Sequence, residues 1–309
     1  ADGSSKFSPE NRWGFFPSGA FAWQMGRENF MKHLRFVSES KLRVSYGITG
    51  NNRVGDFARY HSIDLSDYYS FSNETPAYAA FINNLGNKDL RWEKTAQADI
   101  GYDLSLFKNK VNLTVDVYTK TTSDLLLNSN LPLSSGRPNL YKNVGKVRNN
   151  GLEISLSTIN IKNKNFSWQS DFNISFNNNK VLALADGEKN IQSTVNWTGD
   201  FANSFLYLAK IGGPAAAFYG YVWDGVYQFE DFDQQANGSY YLKNGVPTNG
   251  NDRSVIKPGD IKYVDQNGDG ILSDQDRVVI GRALPIHTGG FNNNFTYKGF
   301  NLNVFFQWN

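Results

Sequence analysis

The 309-residue chain contains no cysteine, which removes disulfide frameworks, thiol catalysis and every cysteine-ligated zinc or iron–sulfur centre. Histidine is scarce. His33, His61 and His287 fall in different regions without metal-ligand spacing. The chain also lacks G-x-S-x-G, H-E-x-x-H and phosphate-binding glycine loops, so its reading is that of a protein other than an enzyme. No apolar run approaches the ~20 residues of a membrane-crossing helix. A formal net charge of +2 supplies neither the basic field that nucleic acid requires nor an acidic tail. Residues 1–10 lack a charged start and an apolar core and are not a signal peptide, and residues 300–308 read as mid-strand, so a piece of a longer protein is expected. No repeat at solenoid or propeller spacing is found.

What is abundant is aromatic and glycine content, with 23 Phe, 16 Tyr and 28 Gly, arranged with a period of two. From Trp92 to Leu106, Ala96, Ala98, Ile100, Tyr102 and Leu104 alternate with Glu93, Gln97, Asp99, Gly101 and Asp103. Residues 108–110 turn the chain, and Val111, Leu113, Val115 and Val117 continue opposite Asn112, Thr114 and Asp116. That pattern is a hairpin of strands with one apolar and one polar face. Leu42 to Ile48, Leu152 to Leu156, Phe166 to Phe176, and the pair around Lys298-Gly299 repeat it.

Strand length decides between architectures. At ~3.4 Å per residue, residues 92–106 would extend roughly 50 Å, whereas soluble strands usually have about 5–6 residues. The expectation is therefore an all-β transmembrane antiparallel β-barrel, of which residues 1–309 form part of a single outer-membrane barrel domain. A charged side chain on the lipid face of such a barrel costs up to ~2–4 kcal/mol at the midplane. Glu93, Asp99, Asp103, Asp116, Glu153 and Asp171 should accordingly face the lumen, and Trp92, Trp168 and Trp308 should belong to interfacial girdles. Connections at 108–110, 162–165 and 298–299 are short, as on a periplasmic edge; those at 126–142 and, as a large extracellular insertion, 180–285 are long.

The large connection holds Asp265-Gln-Asn267-Gly-Asp269-Gly270-Ile271-Leu272-Ser273-Asp-Gln-Asp276. Oxygen side chains at loop positions 1, 3, 5 and 12, with glycine at 6, match a calcium loop in which Asp265, Asn267, Asp269, the Ile271 carbonyl and Asp276 ligate and Ser273 acts through water. Apolar, strand-like flanks argue against an EF-hand, and a tight Asx-type turn is the alternative. A structural calcium would stiffen the insertion. Trp197, Tyr219, Tyr221, Trp223 and Tyr227 form its aromatic cluster, able either to stack on a sugar or peptide ligand or to pack within the insertion.

Motifs spread along the chain add a resemblance. Asp2-Gly-Ser-Ser-Lys-Phe7, Phe16-Pro-Ser18, Lys41-Leu-Arg-Val-Ser-Tyr-Gly-Ile-Thr-Gly-Asn51, Leu90-Arg-Trp-Glu-Lys-Thr95, Asn143-Val-Gly145, Asn150-Gly-Leu-Glu153, Pro258-Gly-Asp260 and Ile280-Gly281 resemble, in order, the later barrel region of the SusC/RagA family of TonB-dependent outer-membrane transporters. The resemblance implies active import of oligosaccharides or peptides across the outer membrane of a Bacteroidetes-type bacterium. It further implies a SusD-like lipoprotein lid, TonB as periplasmic partner, surrounding outer-membrane lipid, and dimers of transporter–lipoprotein pairs. The family's plug and signal sequence have no counterpart in these residues. A passive outer-membrane porin and a secreted, calcium-stabilised β-sandwich that binds glycans are the competing readings.

Overall fold

The computed structural model describes residues 1–65, 68–70, 76–137, 139–185, 187–194 and 205–309. They fall into two compact units, one of residues 1–189 with 285–309 and one of residues 190–284. No α-helix occurs among the described residues, only short 3-10 turns.

The larger unit is built on one eight-stranded antiparallel sheet of β1 (Ser18–Trp23), β2 (Val37–Asn51), β3 (Glu93–Leu106), β4 (Val111–Ser123), β5 (Lys146–Lys162), β6 (Phe166–Ala183), β7 (His287–Tyr297) and β8 (Phe300–Trp308). Each strand pairs only with its neighbours in this order, so the sheet is a meander. The 18 residues of β6 extend roughly 60 Å at the usual rise.

Because side chains alternate, the register sorts them into rows across the sheet. One row reads Leu42, Tyr102, Val115, Ile154, Ile174, Gly289 and Trp308. The flanking rows on the same face hold Leu104, Leu113, Leu156, Phe172, Phe291 and Phe306 on one side and Val44, Ile100, Val117, Leu152 and Phe176 on the other. On the opposite face a row reads Arg43, Gly101, Asp116, Glu153, Ser175 and Thr288. Every Asp and Glu of the eight strands takes a position on this polar face, including Glu93, Asp99, Asp103 and Asp171 as expected.

Two glycines permit the polar face to close over itself. A Cβ on Gly101 would lie 2.2 Å from Asp116 Oδ1 and 2.5 Å from the Arg43 guanidinium carbon, so the ion cluster occupies the space a side chain would take. A Cβ on Gly151 would lie 2.2 Å from the Tyr118 ring, which covers that backbone as cross-strand aromatics commonly cover strand glycines.

Three expectations change. Trp92 is not in a girdle: it is buried between Phe7 and Phe16, at ring distances of 5.6 and 5.2 Å, and donates to the Arg12 carbonyl. The segment that would have anchored in an interface instead closes a small core with Val54 and Leu90. Trp168 stacks on Phe295 on the apolar face, and Trp308 packs against Phe172. The connection at 126–142 contains its own hairpin, Leu126–Asn130 with Asn139–Asn143, and β6 runs on to Ala183 rather than ending near Lys180.

The Gly101 geometry predicts a coupled mutant pair. Gly101→Ala should cost on the order of 1 kcal/mol, the worth of a partly exposed ion cluster, by pushing Arg43 off its carboxylates. In an Arg43→Ala background most of that cost should vanish when urea unfolding of the refolded full-length protein is compared; strictly additive losses would contradict the arrangement.

Candidate functional site

On the polar face, Arg43 sits between strands and joins two carboxylates. Its Nε donates to Asp103 Oδ2 at 2.8 Å, and one Nη donates to Asp103 Oδ1 at 3.0 Å and to Asp116 Oδ1 at 2.8 Å. Thr114 donates to the same Asp103 at 3.2 Å. Glu153 lies across from Asp116 in register, and Asp171 accepts from Ser157 at 2.7 Å. Asn303 donates to both Asn292 and Asn294. The face is thus a carboxylate-rich wall of ion-paired and hydrogen-bonded polar side chains. Arg43 escapes local sequence reading because its partners lie 60 and 73 residues away; only matching strand parities could have revealed it.

In the smaller unit, residues 265–276 connect strand Ile261–Tyr263 to strand Val278–Arg282 through the turn Asp274–Asp276. The loop is closed by its own carboxylates. Asp265 accepts from the amides of Gly268 and Gly270, both at 2.7 Å. Asn267 accepts from Asp269 N at 3.0 Å, and Asp269 accepts from Ile271 N at 2.8 Å. Asp276, fully buried, accepts from Ser273 N at 2.7 Å and from Gln266 N at 2.9 Å. The Ser273 amide, with those of Gln266 and Asn267, outweighs burial and holds the Asp276 carboxyl below the usual carboxylate range. Gly268 and Gly270 adopt φ of 75° and 80°, where side chains are disfavoured. Arg253 ties the loop to its surroundings by donating to the carbonyls of Lys243 and Val246, both at 2.6 Å, and to Gly270 at 3.4 Å. Nothing local in the sequence flags that role.

Among the described residues no three His, Cys, Asp or Glu side chains converge on one point. Asp265, Asn267 and Asp269 instead accept from amides two to five residues further on, the Asx-type turn pattern, and each side-chain oxygen has a second lone pair. Asp276 serves as the clamp between the loop's two ends.

The aromatic residues are dispersed. Tyr227 is interior, 1% exposed, packs on Phe232, and donates to the Pro247 carbonyl at 2.8 Å; burial, reinforced by Asp231, pushes its hydroxyl up to about 12. Tyr221 lies against Tyr263, with the Arg277 guanidinium 5.1 Å over its ring. Tyr219 pairs with Val279 in the four-stranded sheet. Trp223 is 70% exposed. Trp197 lies outside the described residues.

A meander of long strands with all its carboxylates on one face and aromatic and aliphatic rows on the other is a segment of a transmembrane antiparallel β-barrel. The family model described as TonB dependent receptor-like, beta-barrel matches residues 1–308. The chain belongs to that family. It is 40% identical to TonB-dependent receptor P39 of Formosa agariphila over 329 residues, covering 100% of this chain and 30% of that protein. It is 29% identical over 308 residues to TonB-dependent receptor SusC of Bacteroides thetaiotaomicron, covering 97% and 28% respectively. The structure of the RagAB peptide transporter matches with a TM-score of 0.75 at 25% identity, over 99% of this chain and 30% of that one. The chain therefore spans about a third of the length of these relatives.

Asp276→Asn should destabilise the loop by about 1.5–3 kcal/mol, the range for hydrogen bonds to a charged group. Since folding lowers the Asp276 pKa, its contribution is complete above the ordinary value of about 3.9 and is lost as pH falls through the folded value. Hydrogen exchange of the Gln266 and Ser273 amides should be equally protected from pH 7 to about 5, allowing for intrinsic rates, and lose protection only below about pH 4. A loss between pH 5 and 7 would contradict the clamp.

Proposed function

We propose that this chain is part of the barrel wall of a TonB-dependent importer that carries oligosaccharides or peptides across the bacterial outer membrane. The observation that carries the reading is the sorting of strand carboxylates onto one face, which becomes the lumen lining, while the apolar rows meet lipid. Family membership supports energised uptake over passive diffusion, and the similarity to the RagAB peptide transporter and importer favours peptides. In this reading residues 180–285 form a large extracellular insertion, a SusD-like lipoprotein caps the barrel, TonB acts from the periplasm, and transporter–lipoprotein pairs associate as dimers.

The same proposal places a structural calcium on Asp265, Asn267, Asp269 and the Ile271 carbonyl, with Ser273 through water and Asp276 closing the loop. The ion would offset the repulsion of the clustered carboxylates and stiffen the insertion. Among the proposed ligand contacts, Trp223 has the exposure to stack on a ligand, whereas Tyr227 acts through packing.

Two experiments test these statements. Cells expressing the full-length protein should take up labelled oligopeptides or oligosaccharides above the size limit of porins only while TonB is present; uptake that survives TonB depletion would favour the porin. For the metal, purified protein should contain about one calcium per chain, and chelation should raise hydrogen exchange across residues 260–281. No bound calcium and unchanged exchange would leave the amide network as the sole closure of the loop.

A further inference from the structure

The apolar face of the sheet does not stay apolar to its end. Beyond the row of Val44, Ile100, Val117, Leu152 and Phe176, the next row toward the long connections carries Thr119, Asn150 and Asn178, with Thr119 donating to Asn150 at 2.8 Å. One row further, Arg148 and Lys180 stand directly opposite each other. The row after that brings Lys94 and Lys146, each paired with Ser123 of the strand between them. All four cations are exposed.

This placement is unfavourable without a partner. Like charges directly opposite on neighbouring strands repel, and a mixed-sign surface would have placed carboxylates between them. None is there: the strand carboxylates all occupy the other face, and among the described residues none of the four cations lies within ion-pair range of an acid. Asp124, just past β4, is committed to Arg91 at 2.7 Å. Arg148 Nε donates to the Thr121 hydroxyl at 3.2 Å, and Ser123 donates to the Lys94 carbonyl at 3.4 Å; neither bond neutralises a charge. Successive rows are about 7 Å apart and adjacent strands about 4.8 Å apart, so the four positions, on strands β3 to β6 and in two rows, span about 16 Å of backbone, a distance that long Lys and Arg side chains can narrow onto one diphosphorylated headgroup.

We propose that Lys94, Lys146, Arg148 and Lys180 form a docking site for the phosphorylated headgroup of a lipid in the outer leaflet. The inference rests on the membrane reading above, in which short turns mark the periplasmic edge and long connections the cell exterior. The sequence of surfaces along the strands then matches a leaflet in depth: aliphatic and aromatic rows for acyl chains, amide and hydroxyl side chains for the boundary, and a bidentate-capable Arg with three Lys for the phosphates. A bound lipid would relieve the Arg148–Lys180 repulsion and fasten the long-loop end of four adjacent strands.

The test uses the full-length transporter in nanodiscs containing either diphosphorylated lipid A or its fully dephosphorylated form, with retained lipid counted by native mass spectrometry. Wild-type protein should retain about tenfold more of the phosphorylated lipid. The variant Lys94→Gln/Lys146→Gln/Arg148→Gln/Lys180→Gln should lose that preference, and Arg148→Lys should keep part of it. Equal retention of the two lipids by wild type overturns the proposal even if the variant fails to assemble. So does a variant that keeps the wild-type preference, or displacement of the lipid by inorganic phosphate at equal phosphate concentration. A protein that does not fractionate with the outer membrane overturns the membrane reading instead, which separates the two failures.

Discussion

An ionised side chain held against hydrocarbon costs up to ~2–4 kcal/mol at the membrane midplane, and a β-strand offers a way to avoid that cost at every second residue. Every carboxylate of the sheet follows this constraint, and the cations on the apolar face stand only in the last two rows toward the long connections. Asp116, Glu153, Asp103 and Asp99 share one face with Arg43, while Val115, Ile154, Tyr102 and Ile100 share the other. A slip of one residue between any two strands would carry every carboxylate of one of them to the apolar side, so register, charge placement and fold class are a single fact.

The remaining features accommodate this division. Gly101 and Gly151 remove bulk where the polar face needs room for an ion cluster and for Tyr118. Short turns join the strands at one end, and at the other the long connections hold separate structure in the Phe7, Val54, Leu90 and Trp92 core and the hairpin within 126–142; residues 190–284 form a compact unit of their own. Within that unit the loop at 265–276 is held by backbone amides donating to side-chain oxygens, with Asp276 buried at its closure.

Much of the sheet was legible because period-two alternation over strands of 13 to 18 residues leaves little room for another reading. The direction of each carboxylate followed from that period alone. Trp92 was misplaced for an instructive reason: it stands one residue before β3 begins, so strand parity no longer governs it and a long-range core captures it. Arg43 and Arg253 were invisible because their partners are set by register and by tertiary packing. The aromatic residues near 219–227 are close in sequence, but strand pairing and burial send Tyr219, Trp223 and Tyr227 to different surroundings. The acidic loop was legible as a motif, whereas its amide network and the buried position of Asp276 emerged only in three dimensions.

Residues 1–309 contain no cysteine, so once any cysteine outside them is replaced the division of faces is directly measurable. Single cysteines introduced in turn at residues 111–119 of the full-length protein in lipid bilayers can carry a nitroxide label, whose relaxation by a water-soluble nickel chelate and by oxygen reports aqueous or lipid surroundings. The account predicts strict alternation, with Asn112, Thr114, Asp116 and Tyr118 positions aqueous and Val111, Leu113, Val115 and Val117 positions in lipid. Equal aqueous accessibility on both faces, or one face shielded from both reagents, would contradict it.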